Sequence, residues 1–259
     1  MPLTASSSRV KEARRLSRRS ERSERRLFLA DGPKAVQGAL ERPSRVVEVF
    51  ATLAASERYA DLLGDAAVTL VDDRAMSALS DSVSPAGIVA VCRFLDVPLA
   101  ELVDHVPTPR LVAICADVRD PGNAGTVLRC ADAAGADAVV LAGDAVDLYN
   151  PKTIRASVGS AFHLPIAVER DPLQAVAWAR SAGLDVLAAD MQGEPLFEAE
   201  LSVPTAWLFG NEAWGLPDGL VAAVDRTISI PIYGRAESLN LSTAAAVCLY
   251  ASARAQRSH

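Results

Sequence analysis

The sequence has little of what marks several common protein classes. No apolar run reaches the roughly 18 residues needed to cross a bilayer, and the N-terminus lacks the apolar stretch of a secretory leader. Its Arg- and Ser-rich start is close in composition to an organelle transit peptide, but Glu12, Glu21 and Glu24 count against that. Aromatic residues make up only 5% of the 259 positions. Ala, Val and Leu dominate instead, which suits close packing of helices on a sheet. The four cysteines (Cys92, Cys115, Cys130 and Cys248) form no C-x-x-C pair and each lies in apolar sequence. Free buried thiols in a reducing compartment are expected, not disulfides. The three histidines, His105, His163 and His259, are scattered, so no metal site is suggested. A cytoplasmic protein with no membrane partner is the expectation.

What is present is a large apolar fraction. Half the residues are hydrophobic and mean hydropathy is +0.18, enough for a substantial core. Net charge is −6, yet residues 1 to 26 hold nine basic and three acidic groups. A basic segment on an acidic body fits either a nucleic-acid partner or a solvated, frayed terminus.

Four regions are expected: a mobile, partly helical basic arm over 1–26, a small α/β domain over 27–95, a proline-punctuated linker over 96–109, and a larger α/β domain over 110–259. In the small domain, 45–50, 67–71 and 87–92 read as strands and 32–36 as a helix start. Pro98, Pro107 and Pro109 mark the linker. The larger domain opens with the all-apolar run 111–116, which reads as a strand buried on both faces of a parallel sheet. Further strands are expected at 138–141, 184–189, 205–209 and 227–230. Helices fit near 123–134, 151–158, 171–182 and 217–223, and after Asn240.

Three loops follow predicted strands, where open α/β sheets place their ligands. The first runs from Asp117 to Arg129, the second from Gly210 to Pro217, and the third from Pro231 to Asn240. The first carries only Gly122 and Gly125, so the G-x-G-x-x-G dinucleotide fingerprint is missing, as is the G-K-[ST] of a P-loop. That disfavours a nucleotide-dependent oxidoreductase. Asn123 reads as a helix N-cap. Arg129, six residues on, lies on a different helix face and either reaches solvent or points into a site. Glu212 is either a solvated turn carboxylate or a site residue. Ser238 and Asn240 read as helix caps, a role compatible with ligand binding at a helix N-terminus.

Together the loops resemble the three motifs of the SpoU (TrmH-type) branch of the SPOUT methyltransferases. D-x-x-D-P-x-N-x-G-x-x-x-R-x-A is met from Asp117 through Arg129 to Ala131. G-x-E-x-x-G is met by Gly210, Glu212 and Gly215. I-P-x-x-G-x-x-x-S-L-N is met by Ile230, Pro231, Gly234, Ser238, Leu239 and Asn240. The similarity covers about residues 108–255. Phe28 to Pro33 and Ser84 to Ile88 resemble the ends of the L30e-like substrate-binding domain that precedes many such enzymes, with Asp31 where the family usually has Glu.

The resemblance implies an α/β fold: a SPOUT-type trefoil-knotted parallel-sheet catalytic domain preceded by a small L30e-like domain. It implies a homodimer whose active site borrows from both subunits. It also implies transfer of a methyl group from S-adenosylmethionine to an RNA ribose 2′-oxygen, with 23S rRNA as the expected RNA, as in thiostrepton-resistance-type enzymes. A tRNA substrate, or a non-catalytic RNA-binding assembly protein of the same fold, are the alternatives. Carried over, Arg129 is the central catalytic residue with Asn123, Glu212, Ser238 and Asn240 around it. Ala189, Phe209, Gly210, Ile230 and Leu239 contact the donor. A guanidinium stays protonated in proteins, so Arg129 is expected to orient and stabilise charge, not to act as a base. Arg119, Lys152 and Arg155 are candidates for phosphate contacts.

Overall fold

The computed structural model describes residues 1–257, so His259 lies outside the described residues. The N-terminal elements are helices α1 (Ser8–Arg15) and α2 (Arg19–Arg25), strand β1 (Leu27–Asp31), α3 (Pro33–Leu40), β2 (Val46–Ala51), α4 (Leu53–Arg58), α5 (Ala60–Leu63), β3 (Val68–Leu70), α6 (Asp73–Leu79) and β4 (Ile88–Arg93). There follow α7 (Leu102–His105), β5 (Leu111–Ala116), α8 (Pro121–Ala134), β6 (Ala138–Ala142), α9 (Pro151–Ser157), β7 (Ile166–Glu169) and α10 (Pro172–Ser181). The chain ends with β8 (Asp185–Pro195), β9 (Thr205–Phe209), α11 (Asp218–Val221), β10 (Arg226–Ser229) and α12 (Leu241–Arg257).

The chain forms two units. One comprises residues 1–95 and 147–163, the other 96–146 and 164–259. The first has a four-stranded sheet in the order β1-β4-β2-β3, with β4 antiparallel to β1 and β2 and with β2 parallel to β3. Residues 1–26, expected as a mobile and partly helical arm, form two helices packed into this unit. Val10, Ala13 and Leu16 recur every third residue and fall on one face of the chain, where they join Phe50, Val71, Met76, Leu79 and Val89 in one buried cluster. Arg22 is only 3% exposed. Its Nε donates to Asp147 Oδ2 at 3.1 Å, and Nη1 donates to the Leu16 and Ser17 carbonyls. Several of the nine cations are therefore fastened within the unit: Arg9 pairs with Glu48, while Arg15 and Arg25 both pair with Glu12.

Segment 147–163, read from sequence as part of the larger domain, folds with the first unit. Its Tyr149 stacks on Phe94 at a ring-centroid distance of 3.7 Å and is tilted against Phe28 at 4.7 Å, while Phe162 stacks on Phe28 at 5.9 Å. Arg155, a candidate for RNA phosphates, is instead paired within this unit to Asp81 at 3.1 Å and Asp31 at 3.5 Å.

The second unit is a six-stranded parallel sheet in the order β10-β8-β9-β5-β6-β7. Every residue of β5, β6 and β9 is buried, as expected where helices cover both faces of a sheet. α8 packs against α12, and small buried residues line both helices: Ala124, Ala131 and Ala134 on α8, Ala245 and Ala253 on α12. Small side chains allow close helix approach. The Trp207 indole N–H donates to Ser252 Oγ at 2.9 Å, so the largest buried side chain leaves no orphan donor.

Candidate active site

The loops after β5, β6 and β9 are locked to one another at the carboxyl edge of the parallel sheet. Asp117, the residue after β5, adopts a positive φ of 54°. Its Oδ1 accepts the Asp144 N–H at 2.7 Å, and its carbonyl accepts from Asn211 Nδ2 at 2.7 Å. A Cβ at Gly143 would lie 2.3 Å from Asp117 Oδ1, so this crossing requires glycine. Asn211 is 6% exposed. Its backbone exchanges two hydrogen bonds with Gly215, each at 2.9 Å, and its Oδ1 accepts the Ala213 N–H. At Gly210 a Cβ would sit 2.5 Å from the Gly215 carbonyl carbon, so the tight second motif depends on a missing side chain. The motif does not include Asn211; its signal is an amide two residues past the fully buried strand β9, where a buried polar group must find partners.

Helix α8 begins earlier than its sequence suggested. Asp120, not Asn123, is the N-cap: its carboxylate accepts the Asn123 N–H at 2.8 Å, with Pro121 at the first helical position. The Asn123 side chain is thereby released for longer-range contacts. Its Nδ2 donates to Glu212 Oε1 at 3.1 Å, and its Oδ1 accepts from Asn240 Nδ2 at 3.0 Å. Asn240 in turn caps α12, accepting the Ser242 N–H at 2.9 Å. One chain of polar contacts thus joins all three motif loops.

Glu212 is more than a solvated turn carboxylate. It accepts the N–H groups of Arg119 and Asp120 at 3.2 and 3.1 Å as well as the Asn123 amide. Partial burial works against its charge, but the Asn123 amide and the backbone N–H groups outweigh that and hold the carboxyl below its ordinary range.

Beside this network lies a cavity of about 660 Å³. Ala189, Phe209, Gly210, Ile230 and Leu239 all line it, as do Glu212 and Ser238. Asn123 and Asn240 reach it through Glu212. Arg129 does not line it: it is exposed on α8, and no hydrogen bond or ion pair holds it among the described residues. The wall carries three carboxylates, Asp190, Glu212 and Glu237, and no cationic side chain among the described lining residues. A cavity of this size suits a small organic ligand. Its apolar floor beside an acidic rim suits one that joins a flat ring to positive charge, which a purine carrying a sulfonium and an ammonium group satisfies. Among the described residues no cluster of metal-ligating side chains occurs.

A parallel sheet with a knit loop cluster and an acid-rimmed cavity at its carboxyl edge fits a methyltransferase of the SpoU class. The SpoU rRNA Methylase family matches residues 110–250, and the MRM3-like substrate binding domain matches residues 7–90. The chain belongs to the SpoU rRNA methylase family. It is 35% identical to the 23S rRNA (guanosine(2553)-2′-O)-methyltransferase RlmP of Bacillus subtilis, over 95% of this chain and 96% of that protein. It is 34% identical to the 23S rRNA (uridine(2479)-2′-O)-methyltransferase of Streptomyces viridochromogenes, over 72% of this chain and 67% of that one. Among solved structures, the AdoMet-bound rRNA methyltransferase of Sinorhizobium meliloti superposes with a TM-score of 0.84 at 32% identity, covering 98% of this chain and 97% of its own. The SpoU methyltransferase AviRb of S. viridochromogenes, in complex with the cofactor AdoMet, also gives 0.84, at 29% identity, covering 98% and 100%.

Proposed function

We infer that this chain transfers the methyl group of S-adenosylmethionine to a ribose 2′-oxygen of 23S rRNA. The observation that carries this reading is the polar chain Glu212–Asn123–Asn240, which ties three distant motifs beside an acid-rimmed cavity. The relatives named 23S rRNA 2′-O-methyltransferases support the RNA class, and the AdoMet-bound neighbours support the donor.

When bound, the donor supplies a methyl group already activated by sulfonium, so nucleophilic displacement needs no metal. The remaining work falls to the protein: holding the reactants, excluding water and managing the proton of the 2′-hydroxyl. Phe209, Ile230, Leu239 and Ala189 wall the donor in, and Gly210 keeps the turn against it tight. Glu212 fixes the start of α8 and orients Asn123. Ser238 presents its hydroxyl to the same cavity. Arg129 holds an RNA oxygen and stabilises developing negative charge, a role for a fixed cation and not for a base. Because Arg129 lies outside this cavity, a homodimer in which one copy's Arg129 serves the other's cavity is part of the reading.

The unit of residues 1–95 and 147–163 binds the RNA and the unit of residues 96–146 and 164–259 carries the methyl transfer, in the trefoil-knotted arrangement that family membership implies. We place the protein in the cytoplasm. The buried thiols of Cys92, Cys115 and Cys248, which burial pushes up to about 12, fit a reduced chain with no catalytic cysteine.

The test is labelled methyl transfer from S-adenosylmethionine to total RNA, followed by mapping of linkages resistant to alkaline cleavage. A single new resistant ribose in 23S rRNA is expected. Label confined to tRNA would replace the substrate, and no label in any RNA would overturn the reading.

A further inference from the structure

The three tryptophans are placed very differently. Trp207 is fully buried and Trp178 partly so, whereas Trp214 is 55% exposed although it lines the cavity. An indole left this open at a cavity rim needs an explanation, because its burial elsewhere would be favourable. The turn that carries it is not loose. Asn211 and Gly215 close it with reciprocal backbone bonds, and Asn211 Oδ1 holds the Ala213 N–H. The ring is also backed by a cation: the Arg119 guanidinium carbon lies 5.1 Å from the ring centroid. Arg119 is itself fixed, by Asp144 Oδ2 at 2.9 Å and by its own N–H on Glu212 Oε2 at 3.2 Å.

We propose that Trp214 is a stacking platform for a nucleobase of the RNA substrate, the target nucleotide or its immediate neighbour, and that Arg119 is the positioning residue that sets its plane. This rests on the RNA-methylation reading and adds a residue outside the set its motifs supply. A rigid, exposed aromatic face is how proteins grip unstacked RNA bases, and an adjacent guanidinium strengthens the grip while attracting the phosphate backbone. The platform stands at the mouth of the cavity beside Glu212, so a base stacked there holds its ribose toward the pocket. The exposure of the ring favours an RNA base over the donor's adenine, which the buried Phe209 and the partly buried Ile230 would hold deeper in the cavity.

The experiment uses the full chain and an unmethylated 23S rRNA transcript. In a Trp178→Phe background only Trp207 and Trp214 fluoresce, and only Trp214 is exposed. Saturable quenching by the transcript, with little change on adding S-adenosylmethionine alone, is expected. Trp214→Ala should raise the KM for RNA roughly tenfold or more, with a smaller change in kcat and donor affinity within about twofold. Trp214→Phe should recover most of the loss, since a smaller ring still stacks. Arg119→Gln should cause a weaker defect of the same kind, and Arg119→Lys should partly rescue it. Three results would overturn the proposal: unchanged RNA affinity in Trp214→Ala, donor affinity lost by the same factor as RNA affinity, or dissociation of a dimer that alone accounts for the defect. Failure of the parent reading looks different. The parent chain would then methylate no rRNA while quenching by RNA, and its weakening in Trp214→Ala, persisted.

Discussion

In the first 26 residues, nine cations surround a pair of helices, and one of those cations, Arg22, is 3% exposed. At the carboxyl edge of the parallel sheet, the cavity wall holds Asp190, Glu212 and Glu237 and no cationic side chain among the described lining residues. The two regions use charge in opposite ways. The basic segment spends several of its charges on its own unit, through Arg22–Asp147, Arg9–Glu48 and the Glu12 pairs. The acidic rim has no cation among the described lining residues, and Glu212 is held by backbone N–H groups and the Asn123 amide. A count of charges along a sequence therefore says less about where a ligand goes than whether each charge already has a partner.

The largest effect is expected from removing a cation that no hydrogen bond or ion pair holds among the described residues. Arg129→Ala is expected to lower kcat by at least about a hundredfold, with donor binding by calorimetry nearly unchanged. Near-normal turnover would leave Arg129 as an ordinary surface residue. Next is the cation that is fully engaged. Arg22→Ala strands the Asp147 carboxylate and two carbonyls, and should destabilise the protein by about 3 kcal/mol, read as a lower urea midpoint. Its effect on turnover at low temperature should be small, the reverse of Arg129→Ala.

Smaller effects probe the polar chain. Asn123→Ala removes the donor to Glu212 and the acceptor for Asn240, at a cost of about 1 kcal/mol in denaturant unfolding. The pH dependence of stability is the subtlest. The folded-state pKa of Glu212 is lowered, so its contribution is fully present above the ordinary carboxylate range and fades as pH falls through its folded value. Glu212→Gln should flatten that part of the acid limb in urea titrations between about pH 6 and pH 3, leaving stability at neutral pH lower than in the parent.

Much of the parallel sheet was legible because strands buried on both faces leave unbroken apolar runs. The ends of β5 and β9 fall where the pattern put them. β8 runs on to Pro195, beyond the expected Ala189; the extension was not expected because Met191 to Glu194 are exposed and Met191 is the one apolar residue among them. β7 was missed: it is four residues long, and its outer half is not buried. The N-terminal helices were hidden by their arginines, although Val10, Ala13 and Leu16 already carried helical spacing. In the candidate site, the cavity-lining residues came from the motif resemblance and gather in one place. The contact chain through Asn123 was not legible, because the apolar pattern starts the helix near Asn123, two residues after Pro121, and makes Asn123 the cap in place of Asp120. Asp120 followed by Pro121 was the stronger start signal. Asn211 was invisible to the motif, since its work is to hold one loop to another.

If the acid-rimmed cavity holds the methyl donor, filling it abolishes donor binding. Leu239 lines that cavity and is 37% exposed, so a larger side chain there fills the pocket without disturbing the core. Calorimetric titration of Leu239→Trp with S-adenosylmethionine is the decisive measurement. No measurable binding is expected while the unfolding midpoint stays unchanged, and donor affinity equal to that of the parent chain would mean that the donor binds elsewhere.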